Sequence, residues 1–458
     1  MTWRGGVRNA MAFYAGSGGG SVLARAVTGS AGLRAFGMAL TFLVGVQLAR
    51  GLGPTGYGQY SIAMAAFAIL MTPTEFGVPQ LVTREVAIAH ATGDWGLIGR
   101  LLRWTVSAVL TAAAVTAGAT VLVVEAGPFA VGRDLASALF WAAVLLPTVA
   151  LGNVWSAALR GLHHLVEGQV GEIVIRPGLF SLLIAAVSFG LWRGHRLDAG
   201  CAMALNVVAS AVAAAYAAWR LVPRITAVKS ASHPASSPFG SWVRSALTLA
   251  LGEGMRVVAG NLAVIIVGAF ASEHEAGLYR IALGVYAMTV LPSTLLNVSC
   301  SPILARLYGQ GRLDAIQRLN GWFVLILAGC AILALLPFAF AGGTILALVF
   351  GQAYRDAAPI LLILLGGEFV CALLGHPVIV LNALRRERAV TLSSALALAV
   401  NTLLCLGLAR GFGAVGVAIG VAVGQIVWRA VSAHYALKRL HLDTTIRALP
   451  TLVAQLRR

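Results

Sequence analysis

The sequence predicts an all-α integral membrane protein with about 12 transmembrane helices in two pseudo-twofold-related six-helix lobes. Composition, the length of the apolar runs and an internal repeat predict this fold. Hydrophobic residues make up 59% of the chain, charged residues only 11%, and the mean hydropathy is +0.87. Because soluble domains carry roughly 25% charged residues, this composition indicates a membrane protein.

The apolar runs predict helices and not the strands of a barrel, because they are long and lack two-residue alternation. The candidate spans are 30–50, 58–82, 102–126, 135–158, 170–192, 199–222, 244–272, 278–304, 321–341, 357–382, 389–411 and 413–436. Together they occupy most of the 458 residues, so the sequence predicts no soluble domain.

An internal repeat relates the two halves of the chain. Residues 58–73 and 277–292 align without gaps, and both segments follow an apolar run. The identical pairs are Gly58 and Gly277, Tyr60 and Tyr279, Ile62 and Ile281, Ala63 and Ala282, Ala68 and Ala287, and Pro73 and Pro292. In membrane proteins, a repeat at a fixed offset is typical of transporters built from two related halves.

The most polar connector, 222–240, lies between the sixth and seventh candidate spans. An even number of helices in each half places both halves in the same orientation, with an axis along the membrane normal. The predicted divisions are a cytoplasmic N-terminal segment (1–28), an N-lobe with helices 1–6 (29–222), a cytoplasmic linker (223–240), a C-lobe with helices 7–12 (241–437) and a basic cytoplasmic tail (438–458).

The net charge of +17 reflects topology. With a cytoplasmic N-terminus, the predicted cytoplasmic loops and tails hold 22 Lys and Arg residues, and the opposite loops hold 7. The positive-inside rule produces this asymmetry. It predicts cytoplasmic termini and membrane lipids as partners, and it gives no support to nucleic-acid binding.

Four segments carry a family resemblance. Leu48–Tyr60 (LARGLGPTGYGQY), Gly77 and Arg84–Ala87 (REVA) are similar to the opening of Wzx-type polysaccharide-biosynthesis flippases of the MATE/MurJ-like superfamily. Phe350–Tyr354 (FGQAY) resembles a second family segment. The resemblance implies a bacterial inner-membrane protein that moves an undecaprenyl-pyrophosphate-linked oligosaccharide, an O-antigen or exopolysaccharide repeat unit, from the cytoplasmic to the outer leaflet by alternating access.

The resemblance also implies partners and assigns hinge roles. A polysaccharide polymerase or export machinery would act next to such a flippase. Gly53, Pro54 and Tyr57 match the family motif as hinge residues, and the match carries no information about ligand contact.

Ionisable residues within the predicted helices are candidates for the site. They are Arg34, Glu75, Arg176, Glu253, Arg256, Glu368 and Arg429. A charge at the bilayer centre costs at least ~2.5–3.5 kcal/mol on insertion scales, so such residues usually face a cavity or a partner.

Three arginines are the candidate substrate ligands. Arg34 and Arg256 lie in equivalent helices of the two halves, 222 residues apart against the repeat offset of 219. Facing a central cleft, they would suit a pyrophosphate, because guanidinium groups form bidentate bonds to phosphate oxygens. Arg176 is the third candidate. Two other interpretations stay open: Glu253 and Arg256 neutralise each other at i,i+3, and Arg34 snorkels to the interface.

Glu75, Glu253 and Glu368 are the candidate coupling or cavity charges. Prolines at 73 and 79 should bend the helix around Glu75, which would bind a coupling cation or proton or pair with an arginine. Glu368 follows two glycines, so structural pairing with a close neighbouring helix is expected. Arg429 is expected to be an interface anchor.

Two other functions are weighed against the flippase. A MATE-like cation-coupled drug antiporter would favour an acidic cleft, whereas the helices here carry four Arg and three Glu. An intramembrane glycan polymerase or ligase generally needs a large outer loop or a clustered carboxylate motif. The sequence shows no P-loop, metal-ligand spacing or cofactor motif, so it predicts a transporter and not an enzyme.

Overall fold

The computed structural model describes residues 20–126, 132–190, 197–226, 239–384 and 386–448. Helices account for 92% of these residues and none is in a strand, which confirms the all-α prediction. The helices are α1 (Gly20–Glu75), α2 (Val78–Thr92), α3 (Trp95–Ala126), α4 (Arg133–Gly161), α5 (Glu167–Ser188), α6 (Ala199–Thr226), α7 (Phe239–Phe270), α8 (Glu273–Thr289), α9 (Leu291–Gly309), α10 (Leu313–Phe350), α11 (Ala358–Leu373), α12 (Pro377–Ala383) and α13 (Glu387–Leu440).

Within the described residues, eight helices are long and apolar enough to cross a membrane. Each of the twelve predicted spans overlaps one or more of these helices, and the spans 58–82, 278–304 and 357–382 each include a break between two helices. Two helices, α1 and α13, each contain a pair of predicted spans, because each continues through a single non-helical glycine. The prediction placed connectors at these two points, and the structure replaces them with kinks.

The chain forms two compact units. Unit 1 comprises 1–51 and 66–258, and unit 2 comprises 52–65 and 259–458. Part of α1 therefore belongs to unit 2, and the second division between the units, at 258/259, falls within α7 instead of the polar connector. The lobe boundaries drawn from helix count remain a prediction.

The kink in α1 lies at Gly53, inside the predicted hinge. Gly53 has φ 67° and ψ 175°, a conformation that glycine adopts at little cost. Pro54 follows directly and suits the first position of a new helical segment, where its missing N–H would be unpaired anyway. The repeat offset of 219 places Ser272 opposite Gly53, and Ser272 lies between α7 and α8. The helix break therefore occurs at equivalent positions in both copies of the repeat.

The Gly58 and Gly277 ends of the two repeat copies pack against each other within unit 2. A Cβ added to Gly58 would collide with the carbonyl oxygen of Glu273 and lie 2.9 Å from the Gly277 nitrogen. A Cβ added to Gly277 would collide with the carbonyl oxygen of Pro54 and lie 3.2 Å from the Gly58 nitrogen. Pro54 and Glu273 are themselves 219 residues apart, so the contact is reciprocal, as a local twofold relation requires.

The family-like segments also meet in unit 2. The rings of Tyr57 and Tyr354 are in edge contact, with centroids 6.4 Å apart and planes at 84°. Phe350 makes a similar contact with Tyr354, whose side chain is fully buried. Aromatic pairs in this geometry contribute more to stability than their buried area alone would. The hinge segment and FGQAY therefore form one aromatic cluster, although about 300 residues separate them.

The bend predicted around Glu75 is a complete break. Helix α1 ends at Glu75, and α2 begins at Val78 with Pro79 in its first turn. Phe76 and Gly77 between them have φ of 46° and 69°. A proline after the break provides no N–H to continue the α1 ladder, so the chain turns here instead of bending smoothly.

Candidate functional site

Arg176 lies in unit 1 directly after a distorted turn of α5. Gly171–Ile175 form a π-helical turn, and Pro177 follows Arg176. Proline supplies no N–H to the carbonyl four residues earlier, and π-turns absorb such mismatches, frequently at functional sites. Arg176 is half-buried, and its Nε donates a hydrogen bond of 3.2 Å to Asn206 Oδ1 on α6. Arg176, a candidate ligand predicted from the sequence, is thus held by a polar partner on the neighbouring helix α6.

A small polar cavity lies beside Arg176. Its volume is about 20 Å³, and its lining includes Glu172, Asn153, Ser156 and Ser210. The Ser210 hydroxyl is buried and has no hydrogen-bond partner within the described residues. A cavity of this size with several polar groups has room for one water molecule. A pyrophosphate does not fit inside it in this conformation, so phosphate binding at Arg176 requires a more open arrangement.

Glu75 is held from the side by an amide. Asn153 Nδ2 on α4 donates to Glu75 Oε1 at 2.6 Å. Charge-assisted bonds of this kind are short and strong. Glu75 is half-buried and is the last residue of α1. Its carboxylate therefore lies at a helix break and not within a continuous helix.

Two further charges join this region, and the sequence interpretation had given neither a role. Arg160, half-buried at the end of α4, lies within electrostatic range of Glu172, Glu75 and Arg34. Glu172 also lines the cavity beside Arg176. Arg160 lies just past the predicted span 135–158, and Glu172 lies near the start of the predicted span 170–192. An ionisable residue inside an apolar run was the available signal for Glu172.

We call these five residues the unit 1 charge cluster: Arg34, Glu75, Arg160, Glu172 and Arg176. It contains three arginines and two glutamates, so its formal charge is positive by one. Arg34 is exposed on α1, whereas Arg160 and Arg176 are half-buried. Guanidinium groups in partly desolvated surroundings bind phosphate oxygens well, so the cluster is suited to an anionic ligand.

The structure does not describe the side chains of two candidate residues. The side chains of Arg256 and Glu253, both on α7, lie outside the described residues. The equivalence of Arg34 with Arg256 and the neutralisation of Arg256 by Glu253 therefore stay predictions.

Glu368 and Arg429 form a buried ion pair in unit 2. Both side chains are almost fully buried, and Arg429 Nη2 lies 3.5 Å from Glu368 Oε1. Tyr286 donates to Glu368 Oε2 at 3.1 Å, and Arg429 Nη1 donates to the Gly375 carbonyl at 2.7 Å. The expected structural pairing of Glu368 is present.

The expectation that Arg429 anchors at the interface is wrong. Its guanidinium is enclosed by α11, α13 and the turn at Gly375, because Glu368 and a free carbonyl offer it partners inside the protein. Partners of this kind allow a buried charge to persist; they satisfy Nη1 and Nη2, whereas the buried Nε has no hydrogen-bond partner within the described residues.

Metal binding receives no support from the donor set. Within the described parts of the chain, no group of three or more His, Cys, Asp or Glu side chains could hold a metal ion. The candidate site is thus a cationic cluster inside a bundle of long apolar helices.

These features define a multi-span membrane protein with the transporter fold seen in MATE and MurJ proteins. A multidrug resistance MATE family transporter of the MOP superfamily, in an inward-facing conformation, superposes with a TM-score of 0.70 at 13% identity, covering 91% of this chain and 96% of that chain. The lipid II flippase MurJ, in an inward closed conformation, gives a TM-score of 0.64 at 13% identity, covering 93% and 90%.

Sequence comparison identifies the family. Residues 26–308 match the family model described as polysaccharide biosynthesis protein, and the chain belongs to this family. The probable low-salt glycan biosynthesis flippase Agl15 of Haloferax volcanii is 22% identical over 408 residues, which cover 87% of this chain and 80% of the relative.

Proposed function

We propose that this protein is a flippase that moves an undecaprenyl-pyrophosphate-linked oligosaccharide, an O-antigen or exopolysaccharide repeat unit, from the cytoplasmic to the outer leaflet by alternating access. Membership of the polysaccharide biosynthesis family supports a lipid-linked glycan as substrate. The relative in Haloferax volcanii is described as a probable glycan biosynthesis flippase, and MurJ as a lipid II flippase. The proposal is transport without catalysis.

The positive unit 1 charge cluster carries the proposal. Arg34, Arg160 and Arg176 outnumber Glu75 and Glu172, and the arginine side chains provide planar forks for phosphate oxygens. A cation-coupled drug antiporter, the main alternative, would be served better by a net acidic cluster. We propose Arg34, Arg176 and Arg256 as the ligands of the pyrophosphate, with Arg160 as an additional positive group.

The membrane potential offers a driving force. An anionic headgroup that moves outward gains roughly 2.3 kcal/mol per charge per 100 mV from an inside-negative potential. Glu75 is the candidate coupling residue if a cation or proton contributes, because its carboxylate lies beside the arginines and is held by Asn153. Glu253 and Glu368 are weaker candidates, and Glu368 is already paired.

The proposed location is the bacterial inner membrane, with both termini in the cytoplasm. The positive-inside distribution of Lys and Arg supports this orientation. A polysaccharide polymerase or export machinery would receive the flipped substrate on the outer side.

Reconstituted flipping tests the proposal. Proteoliposomes would carry a fluorescent or protease-accessible lipid-linked glycan, and its appearance in the opposite leaflet would be measured for wild type, Arg34→Ala, Arg176→Ala and Arg256→Ala. Arg318→Ala, which removes an exposed positive charge from α10, is the matched control. We expect each site variant to lose about tenfold or more in rate, because one charged hydrogen bond contributes about 1.5–3 kcal/mol, and the control to match wild type.

Other results would favour other functions. Flipping that tolerates all three arginine substitutions would refute the ligand assignment. Absence of flipping by wild type, combined with cation-driven drug efflux, would support the antiporter. Elongation or transfer of the glycan by the purified protein would support the polymerase or ligase.

A further inference from the structure

A second cavity in unit 1 lies where three helices end. The first two turns of α3 form one wall, and the C-terminal turns of α4 and α6 form the others. Its volume is about 500 Å³, some twenty-five times that of the cavity beside Arg176. The two cavities share no lining residue. A phosphate group and part of an acyl chain fit within this volume.

Arg100 of α3 lines this cavity with unsatisfied donors. Its Nε and Nη2 are both shielded from solvent, and neither has a hydrogen-bond partner within the described residues. Burying a donor without a partner costs free energy, and the cost is higher when the group is charged. Within the described residues no carboxylate lies at ion-pair distance from this guanidinium, and Asp94 Oδ1 instead accepts the Leu97 N–H at the start of α3. The guanidinium therefore lacks an anionic acceptor.

The rest of the lining divides into a polar and an apolar part. Arg103 stands one helical turn from Arg100 on the same helix and adds a second positive charge. Leu221, Val222 and Ile225 of α6 form an apolar strip, and Val222 is 54% exposed although it belongs to a membrane-spanning helix. Leu221 is itself buried, so the cavity joins two cationic groups to an apolar strip that is exposed chiefly at Val222.

Two tryptophans place the cavity at the membrane interface. Trp95 and Trp155 line it on α3 and α4. Tryptophan is enriched at the level of lipid headgroups, where its ring is apolar and its N–H remains hydrated. The predicted topology puts these helix ends on the cytoplasmic side, where anionic lipids concentrate.

We propose that this cavity binds the phosphate headgroup of an anionic phospholipid. The phosphate accepts hydrogen bonds from Arg100 and is attracted by the positive charge of Arg103. The first acyl carbons lie along Leu221–Ile225. A free phosphate would satisfy Arg100 equally well, but it would leave the apolar strip uncovered. The lipid would hold the ends of α3, α4 and α6 together, separately from the proposed flipping site.

Lipid retention and thermal stability test whether the cavity binds an anionic phospholipid. Protein purified in a neutral detergent would receive phosphatidylglycerol, phosphatidylcholine or inorganic phosphate, with bound lipid counted by native mass spectrometry and the Tm recorded. We expect phosphatidylglycerol to be retained and to raise the Tm, since a ligand of the folded state stabilises it. Arg100→Gln should weaken retention about tenfold, from the loss of one charged hydrogen bond. Arg318→Gln, an exposed control, should behave as wild type.

A second variant covers the case in which Arg100→Gln fails to fold. Gly99 lines the cavity, and a Cβ added to it meets no atom within 4 Å. Gly99→Leu should therefore fold, retain Arg100 and block phosphatidylglycerol by filling the space. Normal retention by Gly99→Leu would overturn the proposal. Equal stabilisation by inorganic phosphate, or by phosphatidylcholine, would overturn the assignment to an anionic phospholipid.

Discussion

Gly58 and Gly277 occupy equivalent positions of the repeat, and each lies against the backbone of the other's helix. The carbonyls that they face, of Glu273 and Pro54, are also equivalent positions. Close approach of two backbones requires residues without side chains at the crossing. The two glycines are therefore identical for a packing reason, and they fix the crossing of the Pro54 segment of α1 with α8.

Substituting either glycine should disrupt this crossing. Gly58→Ala and Gly277→Ala each place a methyl group into a backbone carbonyl, which cannot move as a side chain tip could. We expect a loss of about 1–3 kcal/mol for each, as for other overpacked sites. Thermal unfolding in detergent would show this as a lowered Tm. Gly284→Ala on α8, where a Cβ meets no atom within 4 Å, is the control and should change little. Equal Tm values for all three variants would contradict the backbone contact.

Removing one partner of the buried Glu368–Arg429 ion pair in unit 2 should destabilise the protein. Glu368→Gln or Arg429→Gln leaves a buried charge uncompensated, at an expected cost of about 3–5 kcal/mol. The double variant removes both charges and should recover part of this loss. A double-mutant cycle on the free energy of unfolding measures the recovery. Arg388→Gln, an exposed site near the start of α13, serves as the control. Strictly additive losses would show that the two charges do not interact.

The kink of α13 depends on a carboxylate from α8. Gly413 adopts φ 55° and ψ −138°, and Glu275 Oε2 accepts the N–H of Ala414 at the start of the following segment. Free N–H groups at a helix start favour such acceptors. Glu275→Ala should destabilise by about 1 kcal/mol. Glu275→Gln keeps an acceptor oxygen and should lose less, with the Tm in detergent as the measure. If both variants lost the same amount, the hydrogen bond would not explain the stabilisation.

Mild acid should lower the stability of the protein through His164, which lies in the loop between α4 and α5. Burial, followed by the charge of Arg224, lowers the pKa of His164 below its ordinary 6.5, while Glu167 opposes the shift and Arg220 and His90 add to it. A lowered pKa means that the fold prefers neutral His164, so stability is complete above pH 6.5 and falls as the pH drops through the folded pKa. The Tm of wild type should therefore decrease more between pH 7.5 and 5 than that of His164→Gln.

The control for this pH effect is His274→Gln. His274 is exposed at the start of α8. This variant should show the pH dependence of wild type, because it leaves His164 and its neighbours unchanged. A wild-type Tm that falls no more steeply than that of His164→Gln would contradict the assignment to His164.

The sequence predicted most of the fold because the bilayer imposes strong constraints on composition. Long apolar runs of low charge have one common outcome in a membrane, the helix, since backbone groups find no water there. For this reason each predicted span lies largely in helix within the described residues. Helix boundaries were less predictable: the breaks at Gly53 and Gly413 are one residue long, and a glycine in a run of small residues gives little signal.

The candidate site was only partly predictable. Arg176, Glu75 and Glu368 were singled out as candidates because charges are rare in apolar runs, and the structure gives each a polar partner. Their roles in a site stay predictions. Their partners Asn153, Asn206 and Tyr286 were not recognised, because polar uncharged residues occur throughout membrane helices. Arg429 was misassigned because its position near a helix end suggested an interface, whereas the turn at Gly375 encloses it.

The sequence by itself determined the class of protein, the helices and the repeat, because hydropathy and identity at a fixed offset are properties of the chain alone. Only the tertiary structure decided which residues meet. Gly58 against Gly277, Tyr57 against Tyr354 and Arg429 with Glu368 depend on how helices distant in sequence cross. These crossings arise from packing small residues and satisfying buried polar groups, and neither is encoded in a local pattern.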